Sequence, residues 1–271
     1  MQDTLIATQS STAPLRYPWK ALLRRFMPIG ALALVLAGWQ LLTVLEIYPA
    51  FLVPSPEAVA AKFYEVALDG RLWLHTQTTL VAVLAGLLMG LALGLVLGYI
   101  IAKVPLLETA LSPLIVAVQS TPIVAYAPLL VIWFGSGPTS KIVTSTLIVF
   151  FPTLMNTIVG IRNVPQPFYD LMRVQRATRW QTFWKLEVPA ALPVLFSGLK
   201  ISATLAVIGA VVGEFVGANA GLGFLITLAR SQYDTPLVFV AVITLALIAR
   251  VLYGAISLIE ARVLGWQKRT R

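Results

Sequence analysis

The sequence contains no cysteine and one histidine, His75, and charged residues make up only 11% of its 271 positions. Without cysteine, the chain has no disulfide and no thiolate for catalysis or metal binding. A single histidine argues against a histidine-based metal centre, so we predict neither a metal site nor catalytic residues. Soluble domains carry roughly 25% charged residues. The low charge therefore argues against a soluble enzyme core, intrinsic disorder and nucleic-acid binding.

Hydrophobic residues make up 58% of the chain instead. Several apolar runs reach the roughly 18–20 residues that cross a bilayer, which predicts an all-α polytopic membrane protein with six transmembrane helices. The first helix follows an N-terminal segment, 1–26, and its apolar run is longer than that of a signal peptide. The predicted spans are 27–45, 79–102, 112–134, 140–161, 193–212 and 237–259, followed by a basic tail, 262–271.

The basic residues are distributed unevenly along the predicted topology. Six spans place both termini on one side of the membrane, together with the polar stretch 162–189. Fourteen Lys and Arg residues fall on that side and four on the other. Because cytoplasmic loops accumulate basic residues, we predict a multi-pass protein of the inner membrane with both termini in the cytoplasm.

Four glycines recur at every fourth position of the second predicted span. This spacing leaves one face of the helix without side chains, which lets another helix approach closely. The pattern predicts a helix-packing face formed by Gly86, Gly90, Gly94 and Gly98.

The stretch 162–189 is too polar to cross a membrane and too aromatic for a simple connector. Its composition favours a pair of amphipathic helices that either lies on the membrane or presents a face to a partner. From Asp170 to Pro189 it resembles the coupling-loop signature of ABC importer permeases, which begins Glu-Ala-Ala, continues with a glycine and ends in proline. Here Asp170 takes the glutamate position, and Arg176, directly before Ala177, takes the glycine position.

The resemblance covers residues 72–261. Further segments carry it: Pro128 to Gly135, Phe151-Pro152, Gly160 to Asn163, Ser197 to Lys200 and Gly213 to Gly223. Together they are similar to permeases for sulfonates, taurine, nitrate, riboflavin and thiamine-pyrimidine precursors, with most likeness to the vitamin and heterocycle transporters. The resemblance implies the type I ABC importer transmembrane fold, with 162–189 as its cytoplasmic coupling loop.

The resemblance also implies partners. Such permeases work in pairs, so a homodimer is expected, docked on a cytoplasmic ABC ATPase and supplied by an extracytoplasmic solute-binding protein. The chain has no Gly-x-x-x-x-Gly-Lys-Ser/Thr phosphate loop, so we expect it to bind no cofactor while the partner subunit uses ATP. The expected solute is riboflavin or a thiamine-pyrimidine-type heterocycle, with sulfonate, taurine or nitrate as the alternative.

Two sets of candidate site residues follow. The resemblance implies that the ATPase docks on the coupling loop through Asp170, Arg173, Arg176, Ala177, Phe183, Trp184 and Pro189. Polar residues inside spans are costly in lipid and tend to face a cavity. They make a candidate translocation path of Gln119, Thr121, Tyr126, Asn156 and Glu214. The alternative is structural: Asn156 or Gln119 joins helices, and Glu214 pairs with a cation or caps a loop.

Two other classes of membrane protein fit the composition. A polytopic membrane enzyme requires carboxylates or histidine converging near one interface, and the acidic residues here are spread over many loops. An ion-coupled secondary transporter ordinarily shows internal repeat symmetry, and the sequence shows none.

Overall fold

The computed structural model describes residues 18–265, with side chains from residue 26 onward. Most of the predicted N-terminal segment, 1–26, and of the basic tail, 262–271, therefore lies outside the described residues. Every regular element in the described part is helical. The helices are α1 (Pro18–Val44), α2 (Pro56–Leu68), α3 (Arg71–Lys103), α4 (Pro105–Ser120), α5 (Ile123–Phe134), α6 (Pro138–Arg162), α7 (Gln166–Val174), α8 (Arg179–Thr182), α9 (Val188–Phe215), α10 (Leu222–Ser231) and α11 (Thr235–Val263), with a π-helical turn, Phe183–Glu187, between α8 and α9.

Five of the described helices are long and apolar enough to cross a membrane: α1, α3, α6, α11 and the continuous helix Arg179–Phe215. The chain divides into two compact units, Met1–Pro56 and Glu57–Arg271. In the first, α1 carries the apolar stretch Phe26–Val44 with mostly exposed side chains. The indole N–H of Trp39 donates to the carbonyl of Pro54 (2.9 Å), which ties the following loop to the helix.

The core of the second unit is α6, packed between α3 and α9. The glycine face of α3 packs closely against α6. A Cβ added at Gly90 would lie only 2.7 Å from Cβ of Val149, which is too close for two carbon atoms. Ser145 of α6, which faces Gly86 of α3, also contacts α9: a Cβ added at Gly209 would lie 2.6 Å from Cα of Ser145. The α3–α6 pairs are Gly86 with Ser145, Gly90 with Val149, Gly94 with Thr153 and Gly98 with Thr157.

The predicted third span, 112–134, is not one kinked helix. Helices α4 and α5 meet at 91°. Thr121 has an extended backbone (φ −83°, ψ 126°), because the ring of the following proline disfavours helical geometry in the residue before it. Pro122 also lacks the N–H that would continue the helix. The pair counts as a sixth span only if its two arms are taken together.

The helix that contains the predicted fifth span, 193–212, begins well before it. One continuous helix runs from Arg179 through the π-helical turn into α9 and ends at Phe215. The polar stretch before 193 predicted a separate pair of amphipathic helices. However, Thr178 caps the helix and the backbone remains helical through them.

Candidate functional site

The predicted coupling loop, 162–189, contains a sharply defined turn between α7 and α8. At the end of α7, Arg176 has a left-handed backbone (φ +53°). Its N–H donates to the carbonyl of Arg173, and the N–H of Ala177 donates to that of Met172, both at 2.9 Å. This is the glycine-type helix C-cap, in which a left-handed residue reverses the chain. Arg176 therefore occupies the glycine position of the signature and keeps a glycine-like backbone.

The helix that follows the turn, α8, begins with a well-defined N-cap. The Oγ1 of Thr178 accepts the N–H of Gln181 (3.2 Å), and the Gln181 side-chain oxygen accepts the N–H of Thr178 (2.9 Å). This reciprocal pair is a capping box, which satisfies two backbone donors that a helix start leaves free. Hydrogen bonds on both sides thus fix the exposed turn around Arg176.

A buried acid that the sequence analysis missed attaches the loop to α3. Glu187 is 3% exposed. It accepts a hydrogen bond from the Tyr99 hydroxyl (3.0 Å) and forms an ion pair with Lys103. The Lys103 ammonium also lies 5.2 Å from the ring centre of Tyr169 in α7, and burial raises the pKa of the Tyr169 hydroxyl above its usual value. Polar partners from α3, α7 and the π-helical turn thus meet here.

The predicted docking residues divide into two groups. Phe183 is half-buried and packs edge-on against Tyr99, with ring centres 5.1 Å apart. Pro189, also half-buried, lies in the first turn of α9. The exposed group consists of Trp184, Arg176, the ion pair of Asp170 with Arg173 (3.1 Å) and, in part, Ala177.

The break between α4 and α5 opens a cavity of about 590 Å³ against α6 and α9. Three of the predicted path residues, Gln119, Thr121 and Tyr126, line it together. Trp133 and Phe151 add two more aromatic walls. This size and apolar character are typical of small-molecule sites.

Asn156 lies elsewhere. Its amide donates to the carbonyl of Pro152 (2.8 Å) and packs against Gly198 of α9, where an added Cβ would lie 2.6 Å from the amide nitrogen. It borders a smaller apolar space of about 190 Å³. This placement matches the structural alternative, in which the amide joins helices.

Glu214 also lies outside the cavity and anchors α10. Its side chain is buried, and its two carboxylate oxygens accept from the Thr79 hydroxyl (2.8 Å) and the N–H of Gly223 (2.6 Å). Thr79 in turn accepts the N–H of Leu222 (2.8 Å). The carboxylate therefore caps the start of α10, a favourable place for negative charge.

Two further side chains hold the loop before α10. The Nδ1 of His75 accepts the N–H of Gly221 (3.0 Å), and the Lys141 ammonium donates to the carbonyl of Ala220 (2.7 Å). Both side chains are buried, although the sequence pattern alone gave them no role. With Thr79 and Glu214 they form what we term the α10 anchor.

Comparison with known proteins gives one family. The family model described as binding-protein-dependent transport system inner membrane component matches residues 90–265. The chain is 47% identical to the riboflavin transport system permease protein RibX of Chloroflexus aurantiacus, over 98% of this chain and 99% of that protein. It is 35% identical to the formylaminopyrimidine transport permease protein ThiX of Halalkalibacterium halodurans, over 81% and 87%.

A more distant relative is the taurine transport system permease protein TauC of Escherichia coli, 29% identical over 97% of this chain and 98% of that protein. Among solved structures, a chain of the MetNI methionine ABC transporter in an inward-facing conformation superimposes with a TM-score of 0.58. The match covers 72% of this chain and 95% of that chain, at 22% identity. This similarity supports the fold.

Proposed function

The chain belongs to the binding-protein-dependent transport system inner membrane components, the permeases of ABC importers, and from this we propose that its solute is riboflavin or a related heterocycle. The family assignment makes it a transport permease of the inner membrane. The resemblance to RibX supports the choice of solute. The main structural support for this solute, however, is the cavity between α4, α5, α6 and α9.

The chemistry of this cavity favours a flat, uncharged heterocycle. Tyr126, Trp133 and Phe151 provide aromatic faces for stacking, and the Gln119 amide can both donate and accept hydrogen bonds. No charged side chain is among the described residues that line it. Sulfonate and nitrate are anions, for which Arg or Lys is the usual protein partner.

Uptake of labelled riboflavin tests this proposal. Cells that lack their own riboflavin uptake and carry the full transporter should accumulate riboflavin, and excess taurine or nitrate should not compete. Tyr126→Ala should lower uptake about tenfold through the loss of aromatic contact. Tyr253→Ala in α11, which lies outside the cavity, serves as the matched control. Uptake of taurine instead of riboflavin would contradict the proposal.

We further propose that two copies of the chain act together with a separate ATPase subunit and a solute-binding protein. On this proposal the ATPase subunit hydrolyses ATP, and this chain binds no cofactor. The excess of basic residues on the side of 162–189 supports a cytoplasmic position for that loop and for both termini. The exposed, doubly capped turn at Arg176 supports docking of the ATPase at this loop.

A charge placed on the turn should break this docking. Ala177→Glu is expected to reduce copurification of the ATPase at least tenfold, because a contact at a small residue would become a buried unpaired carboxylate. Arg176→Gly separates the turn from the side chain: the residue already has a left-handed backbone, so glycine should preserve the turn, and any loss of docking in this variant would come from a lost contact of the Arg176 side chain. Both variants should insert into the membrane at normal levels. Full ATPase binding by Ala177→Glu would refute docking at this turn.

A further inference from the structure

A further open space, a groove of about 570 Å³, lies between α3 and the start of α9. Its deeper walls are aliphatic side chains, among them Leu95, Val96 and Ile100 of α3 and Leu195 of α9. Val96 is 59% exposed, so the groove opens at the surface of the helix bundle. The substrate cavity is separate and shares no lining residue with it.

The predicted span 79–102 places the end of α3 at the edge of the bilayer, and the groove then reaches into the membrane. Leu95 precedes Lys103, the last residue of α3, by eight residues, which corresponds to about 12 Å along the helix axis. One leaflet of a bilayer contributes about half of the roughly 30 Å hydrocarbon core. The groove therefore extends through most of one leaflet, where the surrounding solvent is hydrocarbon. An acyl chain fits these walls better than any water-soluble ligand.

Residues typical of the membrane interface form the mouth of the groove. Trp180 and Trp184 are 68% and 52% exposed, and tryptophan is enriched at the level of lipid head groups. Arg179 is the one charged residue among the described side chains that line the groove. It forms no ion pair with any other described residue. The mouth therefore complements an anionic head group.

The aromatic residues at the mouth are held in place by contacts to α3. Phe183 packs on Tyr99, and Trp180 stacks on Phe183 with ring centres 5.9 Å apart. The π-helical turn places both Phe183 and Glu187 on the side that faces α3. There Glu187 accepts a hydrogen bond from Tyr99 and forms an ion pair with Lys103. A π-helical turn of this kind is frequent at functional sites. These contacts fix the shape of the groove's mouth, and a preformed site lowers the entropic cost of binding.

We propose that this groove binds one anionic phospholipid of the leaflet on the coupling-loop side, with an acyl chain along α3 and the phosphate on Arg179. The lipid is a structural ligand and not the transported solute. It bridges α3 and α8, so it stabilises the segment that leads from the coupling turn into the membrane. The proposal depends on the membrane placement of the helices and not on the identity of the solute.

Native mass spectrometry of the detergent-purified transporter, permease and ATPase subunit together, tests the site, with dioleoylphosphatidylglycerol and dioleoylphosphatidylcholine titrated separately. We expect one tightly bound phosphatidylglycerol per chain and at least tenfold weaker binding of phosphatidylcholine. Arg179→Gln should weaken phosphatidylglycerol binding about tenfold, as the loss of a charged hydrogen bond predicts. Val96→Trp should abolish binding by filling the groove.

Two matched variants control for general effects. Leu88→Trp places the same bulk on α3 at a residue of similar exposure outside the groove. Arg262→Gln removes a cation from the last turn of α11. Both should bind lipid as the wild type does. Equal loss of binding in Arg262→Gln, or unchanged binding in Arg179→Gln and Val96→Trp, would refute the site.

Other occupants give different results in the same experiment. If a second copy of the chain filled the groove, Val96→Trp would convert dimers to monomers without changing lipid binding. If the ATPase filled it, the variant would lose the ATPase and keep the lipid. Either result overturns the proposal. Failure of riboflavin uptake would leave the lipid stoichiometry unchanged, so the two proposals fail independently.

Discussion

Replacing Gly90 by leucine is expected to separate α3 from α6 and to destabilise the protein by about 3 kcal/mol or more. Even the Cβ of alanine at this position would lie 2.7 Å from the Cβ of Val149 and 2.9 Å from the carbonyl oxygen of Thr146. The second of these is backbone and cannot rotate away. Overpacking a well-fitted interface typically costs 1–3 kcal/mol, occasionally more, and leucine adds three carbons beyond the first clash. Thermal unfolding of the purified protein, followed by size-exclusion chromatography, measures the effect.

Two further variants test the stated cause. Gly38→Ala in α1 has no atom within 4 Å of the added carbon and should leave the melting temperature unchanged. The double variant Gly90→Ala/Val149→Gly removes the three side-chain carbons of Val149 that face the added methyl group. Its loss of stability should be smaller than the sum of the losses in the two single variants, with the Thr146 contact limiting the recovery. A Gly90→Leu protein as stable as the wild type would contradict the close packing of α3 on α6.

Replacing Glu214 by alanine is expected to release α10 from the helix bundle. The change removes the acceptor for the Thr79 hydroxyl and for the N–H of Gly223, and leaves both donors buried. Hydrogen bonds to a charged group contribute about 1.5–3 kcal/mol each. We therefore expect a loss of about 3 kcal/mol or more, with a melting temperature lower by about 6 °C or more. Glu214→Gln keeps one acceptor and should show a smaller loss.

Cysteine labelling separates this anchoring role from a role in the translocation path. The chain has no native cysteine, and Ala229 of α10 is fully buried. In an Ala229→Cys background, Glu214→Ala should increase reaction with a maleimide. Glu260→Gln, which removes a partly exposed ion-pair partner of Lys200, should leave the labelling unchanged. If Glu214→Ala abolished transport but changed neither labelling nor stability, the carboxylate would belong to the path.

The sequence alone was sufficient for the class of the protein. Long apolar runs have few stable folds other than membrane helices, because backbone polar groups in lipid must be satisfied within the chain. The all-α membrane fold and the assignment to the ABC importer permeases are confirmed. The glycine packing face of α3 could also be predicted without tertiary information, since residues four apart share one face of any α-helix.

Contacts between distant segments needed the tertiary structure. Thr79 and Glu214 are 135 residues apart, and Tyr99 and Glu187 are 88 apart. Nothing in local sequence pairs them. An isolated Glu214 in a span therefore suggested a translocation path, whereas the structure places its carboxylate at the start of α10.

Backbone geometry at two positions also depended on more than residue type. Arginine at 176 does not itself favour a left-handed backbone, and the turn between α7 and α8 imposes it. Pro122 lies inside the predicted span 112–134, but a proline in the sequence leaves open whether a helix bends or breaks. The structure shows a break, with α4 and α5 at 91°. Residue spacing thus determined the helices and their faces, while the helix ends and the polar partners depended on which segments the fold brings together.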